Sequence, residues 1–346
     1  MLGGNLYLQW HITAQCSLHC KHCYVYDPQT YSSELDDELN LARCLQVLED
    51  YRRTIDQNNA HGHIAFTGGD VFMREDVFWI LATKAREYGI SFSVLGNPDL
   101  LDRDKAQRLK DLGIRNYQMS LDGLEDTHDK LRRAGSFQKT VQALLILKDM
   151  DIRTSVMFTL SSWNVKDLIP VMDLVGQIGV NSFGFDRISW VGEARQFEGA
   201  KLSPVEYRDV CENYLEHSRT LRKEGIPTKY TFKSHLFALL FYERGELNPR
   251  LLNEYDYGCP VGRSGIAILA DGSVLPCRRI PIVVGKVPEQ PIAEILQTSE
   301  VLERFRQRSN YQKCSHCELY VCCRGCPAVA YGITGDPFAA DPHCWK

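Results

Sequence analysis

Short apolar segments and longer segments with a helical repeat alternate through the first half of the sequence. In the longer segments apolar side chains recur every three or four positions, which is the spacing of an amphipathic helix. The strands predicted from the short segments are Leu6–Thr13, His63–Thr67, Ser91–Leu95, Arg115–Ser120, Thr154–Leu160 and Asn181–Phe185. The helices predicted between them are Leu35–Arg53, Glu75–Tyr88, Asp104–Leu112, Phe137–Met150 and Val165–Ile178.

This alternation predicts an α/β fold built from parallel βαβ units. Parallel strands need long crossover connections, and helices on those connections cover the sheet. Six units are too few to close an eight-stranded barrel. We therefore expect a partial (β/α)6 TIM barrel whose functional residues lie at the C-terminal ends of its strands.

The pattern changes after Arg187. Helices are predicted at Pro204–Glu224 and Phe232–Arg244, and from residue 248 the sequence combines short strands, turns and cysteines. Asp271-Gly272 is a strong hairpin signal in this last part. The expected domains are a partial barrel in residues 1–189, a helical connector in residues 190–247 and a cysteine-rich domain in residues 248–346.

Charge and hydropathy argue against two classes of partner. The net charge is −4 with both signs mixed along 346 residues, so we expect no basic face for a nucleic acid. No apolar segment is long enough to span a bilayer, so we expect no membrane association. The first residues lack the charged region and cleavage site of a secretion signal, which predicts a cytoplasmic protein.

Cysteine is the unusual residue of this composition. Disulfides are rare in a reducing compartment, so thirteen cysteines indicate metal binding or catalysis. Three of them are Cys16, Cys20 and Cys23, and eight fall within residues 259–344. This distribution predicts one metal site near the N-terminus and a metal-rich module near the C-terminus.

The spacing Cys16-x3-Cys20-x2-Cys23 directly follows the first predicted strand. Three thiolates this close in sequence can hold three irons of a [4Fe–4S] cube and leave the fourth iron open to a small molecule. A zinc site is the alternative, because His19 or His22 could supply a fourth ligand. The spacing, together with the position after a strand, favours the iron–sulfur cube.

This motif resembles the hallmark of the radical S-adenosylmethionine (SAM) superfamily, in which the three cysteines follow the first barrel strand. The resemblance implies an enzyme that cleaves SAM reductively at a [4Fe–4S] cluster and uses the resulting radical on a substrate. Four further segments resemble SAM-binding segments of the family, in the same order at successive strand ends. They are Thr67-Gly68-Gly69-Asp70, Gly96-Asn97, Ser120-Leu121-Asp122-Gly123 and His128-Asp129-Lys130-Leu131-Arg132.

The resemblance also implies which residues bind SAM. The chain departs from the family at two positions, since Asp70 replaces a glutamate and Val71 replaces a proline. The shorter carboxylate is expected to reach SAM through water. The implied contacts are Gly68, Gly69 and Asp70 at the amino group, Asn97 near the adenine and ribose, Ser120 and Asp122 at the ribose or the amino-acid end, and Arg132 at the carboxylate.

The C-terminal cysteines resemble a SPASM extension, which in relatives carries two auxiliary [4Fe–4S] clusters. The resemblance to the family thus extends from about Leu6 to Cys344. A pair of zinc ribbons is the alternative for this module, because paired cysteines bind zinc well. Beside the N-terminal motif, iron–sulfur clusters are favoured. The pattern is Cys259-x12-Gly272-x4-Cys277, Cys314-x2-Cys317-x5-Cys323, then Cys326 and Cys344.

The extra cysteine Cys322 leaves two ligand assignments open. The first set is Cys259, Cys277 and Cys326 for one cluster with an open or substrate-filled corner, and Cys314, Cys317, Cys323 and Cys344 for the other. In the second, Cys322 and Cys323 serve different clusters and all eight cysteines are used. The x5 spacing before Cys323 favours the first assignment, with Cys322 as a spare.

SPASM-type relatives mostly modify peptides or proteins. The resemblance therefore implies maturation of a ribosomally made peptide by crosslinking, oxidation or epimerisation. The alternatives are an anaerobic sulfatase-maturating enzyme, small-cofactor biosynthesis and, without catalysis, an iron–sulfur or zinc-binding interaction protein. Arg278-Arg279 follows Cys277 where sulfatase-maturating relatives carry an acidic residue, which argues against that type.

The partners implied are a peptide or protein substrate and ferredoxin or flavodoxin as electron donor. Because the first predicted strand begins near the start of the sequence, any leader peptide is expected at the barrel mouth, at the C-terminal module or on a separate leader-binding protein. Three remaining features are given no role. Cys44 and Cys211 lie in predicted helices as packed side chains, and the acidic segment Ser33–Glu38 is predicted to be a solvated helix start.

Overall fold

The computed structural model describes residues 4–197, 199, 201–248 and 259–346. Within these ranges the strands β1 to β10 are Asn5–His11, His61–Thr67, Ser91–Leu95, Tyr117–Ser120, Thr154–Leu160, Ser182–Arg187, Lys229–Thr231, Gly265–Ile268, Ser273–Leu275 and Gly285–Lys286. The helices α1 to α12 are Tyr31–Asp36, Leu41–Gln57, Glu75–Glu87, Arg103–Asp111, Glu125–Leu131, Ser136–Asp149, Leu168–Ile178, Pro204–Lys223, Phe237–Glu243, Ile292–Thr298, Glu300–Arg306 and Pro327–Thr334. No helix in these ranges is both long and apolar enough to cross a membrane.

Strands β1 to β6 are parallel and lie side by side in chain order. The full sheet runs β10-β9-β8-β1-β2-β3-β4-β5-β6-β7, so among the described residues its edges are β10 and β7 and the barrel stays open. Helices on the crossover connections bury the outer face of the sheet, as parallel strands require. The predicted α/β fold with a partial barrel is confirmed.

The two-residue period of the strands separates the core from the barrel interior. In β1, Leu6, Leu8 and Trp10 are buried in the core between sheet and helices, whereas Tyr7 and Gln9 line interior cavities. Strand β5 alternates in the same way over its whole length. Alternate side chains of these strands therefore line the barrel interior, from the N-terminal ends of the strands to their C-terminal ends.

Two predicted helices differ in the structure. The segment predicted as one helix, Leu35–Arg53, forms α1 and α2, because the Asn40 side chain accepts a hydrogen bond from the Arg43 N–H at 3.0 Å and begins a new helix. The segment predicted as a helix over Phe232–Arg244 is helical only in α9. Before it, β7 pairs in parallel with β6 and adds a short strand that lacks a clear apolar repeat.

The C-terminal part of the chain joins the main sheet. Strand β8 pairs in parallel with β1 and antiparallel with β9, so the hairpin predicted at Asp271-Gly272 is confirmed. Residues 249–258, where the predicted cysteine-rich domain begins, lie outside the described residues. The cysteine-rich segment thus extends the edge of the barrel at β1 and is held there by backbone hydrogen bonds.

A buried ion pair ties the C-terminal segment to β6 at the other side of the opening. Arg187, the last residue of β6, donates to both carboxylate oxygens of Asp341 at 2.5 and 2.9 Å, and both side chains are almost fully buried. The same carboxylate accepts the Cys326 N–H at 2.7 Å and the His343 N–H at 3.0 Å. Asp341 therefore orients the backbone at Cys326 and at His343, which precedes Cys344.

We predict that Arg187→Met lowers the free energy of unfolding by about 3–5 kcal/mol, because the substitution leaves the Asp341 carboxylate buried without its countercharge. The measurement is denaturant unfolding of the anaerobically purified protein. As a matched control, Asp149→Asn breaks the exposed pair with Arg103 and should cost at most about 1 kcal/mol. Equal losses in the two variants would contradict the structural role of the buried pair.

Candidate active site

The loop that carries the first three cysteines follows β1 and is anchored by a carboxylate. Glu38 accepts hydrogen bonds from the Thr13 hydroxyl at 2.7 Å and from the Ala14 N–H at 2.8 Å. Glu34, in the same acidic segment, is 8% exposed and faces Arg278 at 4.0 Å. The prediction of a solvated helix start is therefore wrong for these two residues, which contact the cysteine loop and Arg278.

The glycines of the Gly68-Gly69 pair bring the second strand end against this loop. A Cβ atom at Gly68 would lie 2.3 Å from the Thr13 carbonyl oxygen, and one at Gly69 would lie 2.1 Å from that of Gln15. The Gly69 N–H also donates to the Thr13 carbonyl at 3.0 Å. The glycines thus serve a close approach of two backbone segments, in addition to any approach by a ligand.

A cavity of about 390 Å³ lies at the C-terminal ends of the strands and is walled by the cysteine loop. Eight of the ten residues predicted for the cluster and SAM meet there, although they come from five separate segments of the chain. Asp70 and Asp122 do not line the cavity. The eight residues that line it are Cys16, Cys20, Cys23, Gly68, Gly69, Asn97, Ser120 and Arg132.

Each of the three sulfur atoms faces a nitrogen donor. The Asn97 amide lies 3.5 Å from the Cys16 sulfur, and the Arg132 guanidinium lies 3.6 Å from that of Cys20. The Tyr26 N–H lies 3.3 Å from the Cys23 sulfur. Donors at this position stabilise thiolates that ligate a metal cluster, and hydrogen bonds to sulfur tune cluster potentials. The donor set fits an iron–sulfur cluster held by three thiolates.

Whereas these donors favour the thiolate form, burial of the same cysteines favours the protonated thiol. It raises the pKa of Cys16 to about 12 and that of Cys20 to about 11, with a smaller contribution from the neighbouring thiols. Ligands of a metal cluster must be deprotonated, and bound iron supplies the positive charge that offsets this cost. Cluster assembly at this loop is therefore expected to release protons.

Asp122 is fully buried and serves the chain itself. One carboxylate oxygen accepts from Arg132 at 2.6 Å and pairs with His22 at 3.1 Å, and the other accepts the Thr159 N–H at 2.7 Å. Although burial opposes ionisation, Arg132 and His22 hold the pKa of the Asp122 carboxyl well below its usual range. Asp122 thus fixes the guanidinium that faces Cys20. His22, a ligand that a zinc site could use, is paired with the Asp122 carboxylate.

Asp70 is also buried, but without a countercharge close to it. One of its oxygens accepts the Phe72 N–H at 3.1 Å, and the other has no hydrogen-bond partner. Burial raises the pKa of Asp70 to about 7. The Asp70 carboxyl therefore caps the turn that follows β2, and the structure does not place it at the wall of the cavity where the resemblance implied a contact with SAM.

The sequence prediction missed a wall of the cavity that comes from the connector after β6. Gly192 packs so closely that a Cβ atom there would lie 2.6 Å from the Tyr26 carbonyl oxygen, and the Glu193 N–H donates to that oxygen at 2.7 Å. Glu193 then lines the cavity together with Gln118 and Thr159. The sequence signal for this contact was Gly192 itself, but Tyr26, which it packs against, lies about 170 residues earlier in the sequence.

A second cavity, of about 420 Å³, lies at the lateral opening of the barrel. Cys259, Cys277 and Cys326 line it, and the Arg279 guanidinium lies 3.8 Å from the Cys326 sulfur and 2.9 Å from Asp186. Burial, with the neighbouring Cys326 and Cys277 thiols, raises the pKa of Cys259 to about 12. These three cysteines therefore form one group that faces the barrel interior.

The remaining C-terminal cysteines group separately. Burial is the main cause of a raised pKa at Cys323, and the charges of Asp341 and of the Cys314 and Cys344 thiols raise it further. Cys314 in turn interacts with Cys344 and Cys317. Cys322 is buried, and its thiol donates to the Leu319 carbonyl at 3.4 Å.

None of the thirteen cysteines forms a disulfide. Over residues 4–197, 199, 201–248 and 259–346, no group of three or more His, Cys, Asp or Glu side chains is arranged to hold a single metal ion.

Comparison with known families matches both parts of the chain. Residues 10–175 match the model of the Radical SAM superfamily, and residues 259–318 match the SPASM iron–sulfur cluster-binding domain. The first match includes the cysteine loop and the strand ends that line the cavity behind it. The second begins at Cys259 and covers the first cysteines of the C-terminal groups.

Curated relatives are similar over almost the whole chain. The AdoMet-dependent heme synthase of Methanosarcina barkeri is 27% identical over 99% of this chain and 97% of its own length. The Fe-coproporphyrin III synthase of the same organism is 28% identical over 97% of this chain and 86% of its own length. The sporulation killing factor maturation protein SkfB of Bacillus subtilis is 24% identical over 89% of this chain and 68% of its own length.

Among solved structures, SuiB of Streptococcus suis bound to S-adenosylmethionine superposes with a TM-score of 0.74 at 17% identity, covering 100% of this chain and 78% of SuiB. A likeness at this identity establishes the fold. The cysteine loop, the cavity behind it and both family matches agree with one another. The chain is therefore a radical SAM enzyme with a C-terminal SPASM domain, and S-adenosylmethionine and [4Fe–4S] clusters are its cofactors.

Proposed function

We propose that this enzyme acts in the synthesis of a tetrapyrrole cofactor and modifies a porphyrin that carries carboxylate side chains. The observation that carries the proposal is similarity over nearly the full length to relatives named as heme and Fe-coproporphyrin III synthases. This similarity favours small-cofactor biosynthesis over the peptide substrate that the resemblance to SPASM-type relatives implies. A flat macrocycle with several carboxylates is the substrate class that follows.

We assign SAM to the cavity behind the cysteine loop. When bound there, SAM supplies a 5′-deoxyadenosyl radical that removes a hydrogen atom from an unactivated carbon of the substrate. Arg132 uses its Nε to bind Asp122, which leaves donors of its fork for the SAM carboxylate. The Ser120 hydroxyl, the Asn97 amide and the backbone at Gly68 are suited to the ribose and amino-acid ends.

For the auxiliary clusters we favour the first ligand assignment. Cys259, Cys277 and Cys326 would hold a cluster at the lateral opening and leave one of its corners without a cysteine ligand. The second cluster would have four cysteine ligands, and Cys322 would be a spare that packs against Leu319. Electrons would arrive from ferredoxin or flavodoxin. The four ligands of the second cluster would be Cys314, Cys317, Cys323 and Cys344.

Peptide maturation is the second candidate function. It is supported by the likeness to SkfB, whose name describes maturation of a killing factor, at 24% identity over 89% of this chain. A peptide would reach the same cavity through the same opening in the barrel. The two candidates therefore differ in substrate and share the SAM site.

The test of the substrate class is anaerobic turnover of the reconstituted enzyme. With SAM, a reductant and iron coproporphyrin III, we expect a change in the mass of the tetrapyrrole and formation of 5′-deoxyadenosine in proportion to it. A parallel reaction contains the peptide encoded next to the gene. If the peptide alone is altered, in mass or by deuterium incorporation, the tetrapyrrole proposal is wrong and peptide maturation replaces it.

The ligand assignment predicts different outcomes for two adjacent cysteines. Cys323→Ser should lower the iron content by up to about four atoms per chain, because it removes a ligand of a [4Fe–4S] cluster. Cys322→Ser, its matched control, should keep the iron content of the unmodified enzyme. The measurement is iron and sulfide content after anaerobic purification. Equal losses in both variants would support the second assignment, in which all eight cysteines are ligands.

The arrangement around Asp122 predicts a loss of SAM binding when its charge is removed. In Asp122→Asn the Arg132 guanidinium loses its charged partner, and residues that orient a ligand in this way commonly contribute roughly 10–100-fold. We expect the SAM dissociation constant, measured by equilibrium dialysis, to rise by such a factor. Asp149→Asn is the control and should leave it unchanged. An unaltered dissociation constant in Asp122→Asn would refute the positioning role.

A further inference from the structure

A third cavity, of about 720 Å³, opens at the N-terminal ends of the barrel strands, opposite the cysteine loop. Its volume is within the range of about 300–1,000 Å³ that small-molecule sites occupy. Strand residues whose side chains face the barrel interior line it, including Ser91, Ser93 and Ser155. Neither the SAM site nor the cysteine groups account for this cavity.

The charged residues at this mouth are all of one sign. Arg115, Arg153 and Lys233 line the cavity, and no aspartate or glutamate is among the described residues that do so. All three side chains are exposed, and across the described ranges none forms an ion pair. By contrast, Asp186 lines the lateral cavity and Glu193 lines the SAM cavity. Several positive charges around one cavity attract anions and raise their local concentration.

One wall of the cavity is flat and aromatic. Tyr7 is 38% exposed and stacks on His63 with ring centroids 5.6 Å apart and planes inclined by 17°. Both ring nitrogens of His63 are hydrogen-bonded, to Ser91 at 2.8 Å and to Ser93 at 2.9 Å. The His63 imidazole is thus held nearly parallel to the Tyr7 ring. The exposed ring of Tyr7 offers a planar surface to a planar ligand.

The mouth is continuous with the interior of the barrel. Gln118 lines this cavity, the lateral cavity and the SAM cavity, and Tyr7, Met157 and Lys233 line both the mouth and the lateral cavity. A ligand whose one edge is bound at the mouth would extend through the barrel interior. Its opposite edge would lie toward the cysteines of the lateral opening and toward the SAM cavity.

We propose that Arg115, Arg153 and Lys233 form an anion-binding rim that holds carboxylates of a planar substrate at the N-terminal mouth of the barrel. The rim would bind the carboxylates that do not react, while Tyr7 covers part of the face of the ring. The choice of a porphyrin as the natural ligand rests on the proposed function. The rim itself is a property of the described residues and binds planar polyanions of other chemistry as well.

The experiment uses pyranine, a fluorescent planar trisulfonate, with the anaerobically purified holoenzyme. Fluorescence anisotropy should show binding that weakens by roughly tenfold or more in Arg115→Glu/Arg153→Glu, because a hydrogen bond to a charged group contributes about that factor. The control Lys110→Glu/Lys223→Glu makes the same change in net charge at two exposed helix positions outside the cavity. It should bind pyranine as the unmodified enzyme does.

Lys233→Ala is the second variant, and it should weaken pyranine binding without reversing a charge. Iron content of each purified variant shows that it has folded. The proposal is overturned if the unmodified enzyme does not bind pyranine, or if the control loses as much affinity as the rim variants. The outcome is separate from the turnover assay, since failure to convert a tetrapyrrole would refute the proposed function and leave the pyranine result standing.

Discussion

The active site depends on close backbone contact at both ends of one loop. At its start, Gly69 permits the second strand end to lie against Gln15, where any side chain would meet the carbonyl oxygen at 2.1 Å. At its end, Gly192 permits the connector after β6 to reach Tyr26 in the same way. These contacts hold the loop at both ends, and its three thiols line one cavity. Pre-organisation of this kind lowers the cost of assembling a site.

Two buried carboxylates repeat the same arrangement at the two groups of cysteines. Asp122 binds Arg132 and a backbone N–H, and Arg132 faces Cys20. Asp341 binds Arg187 and the N–H of Cys326. In each case a carboxylate that is paired and hydrogen-bonded escapes most of the cost of burial and orients groups around sulfur. Each carboxylate therefore positions a donor group or backbone next to a cysteine and does not itself contact the sulfur.

Charge is distributed unevenly along the barrel interior. The C-terminal end carries thiols with Lys21, Arg132 and Glu193, and the lateral opening carries Arg187, Arg278, Arg279 and Lys233 with the carboxylate of Asp186. The N-terminal mouth carries three cations and, among the described residues, no carboxylate. Gln118 lines all three cavities, so a ligand of sufficient length would contact the cations of the mouth at one end and the cysteine loop at the other. The net charge of −4 gives no sign of this distribution, since the residues that line the cavities are far apart in the sequence.

Much of the fold was predictable from the chain itself, because strand and helix periods are local and the order of βαβ units leaves few topologies. The cysteine spacing and the strand-end motifs were likewise readable, since their chemistry lies within a few neighbouring residues. Other features depended on partners remote in sequence, such as Glu193 beside the cysteine loop and β8 against β1. Whether a carboxylate such as Asp122 meets a ligand or binds an arginine is decided by burial and by its neighbours in space. No local pattern encodes those, so only the tertiary structure settled them.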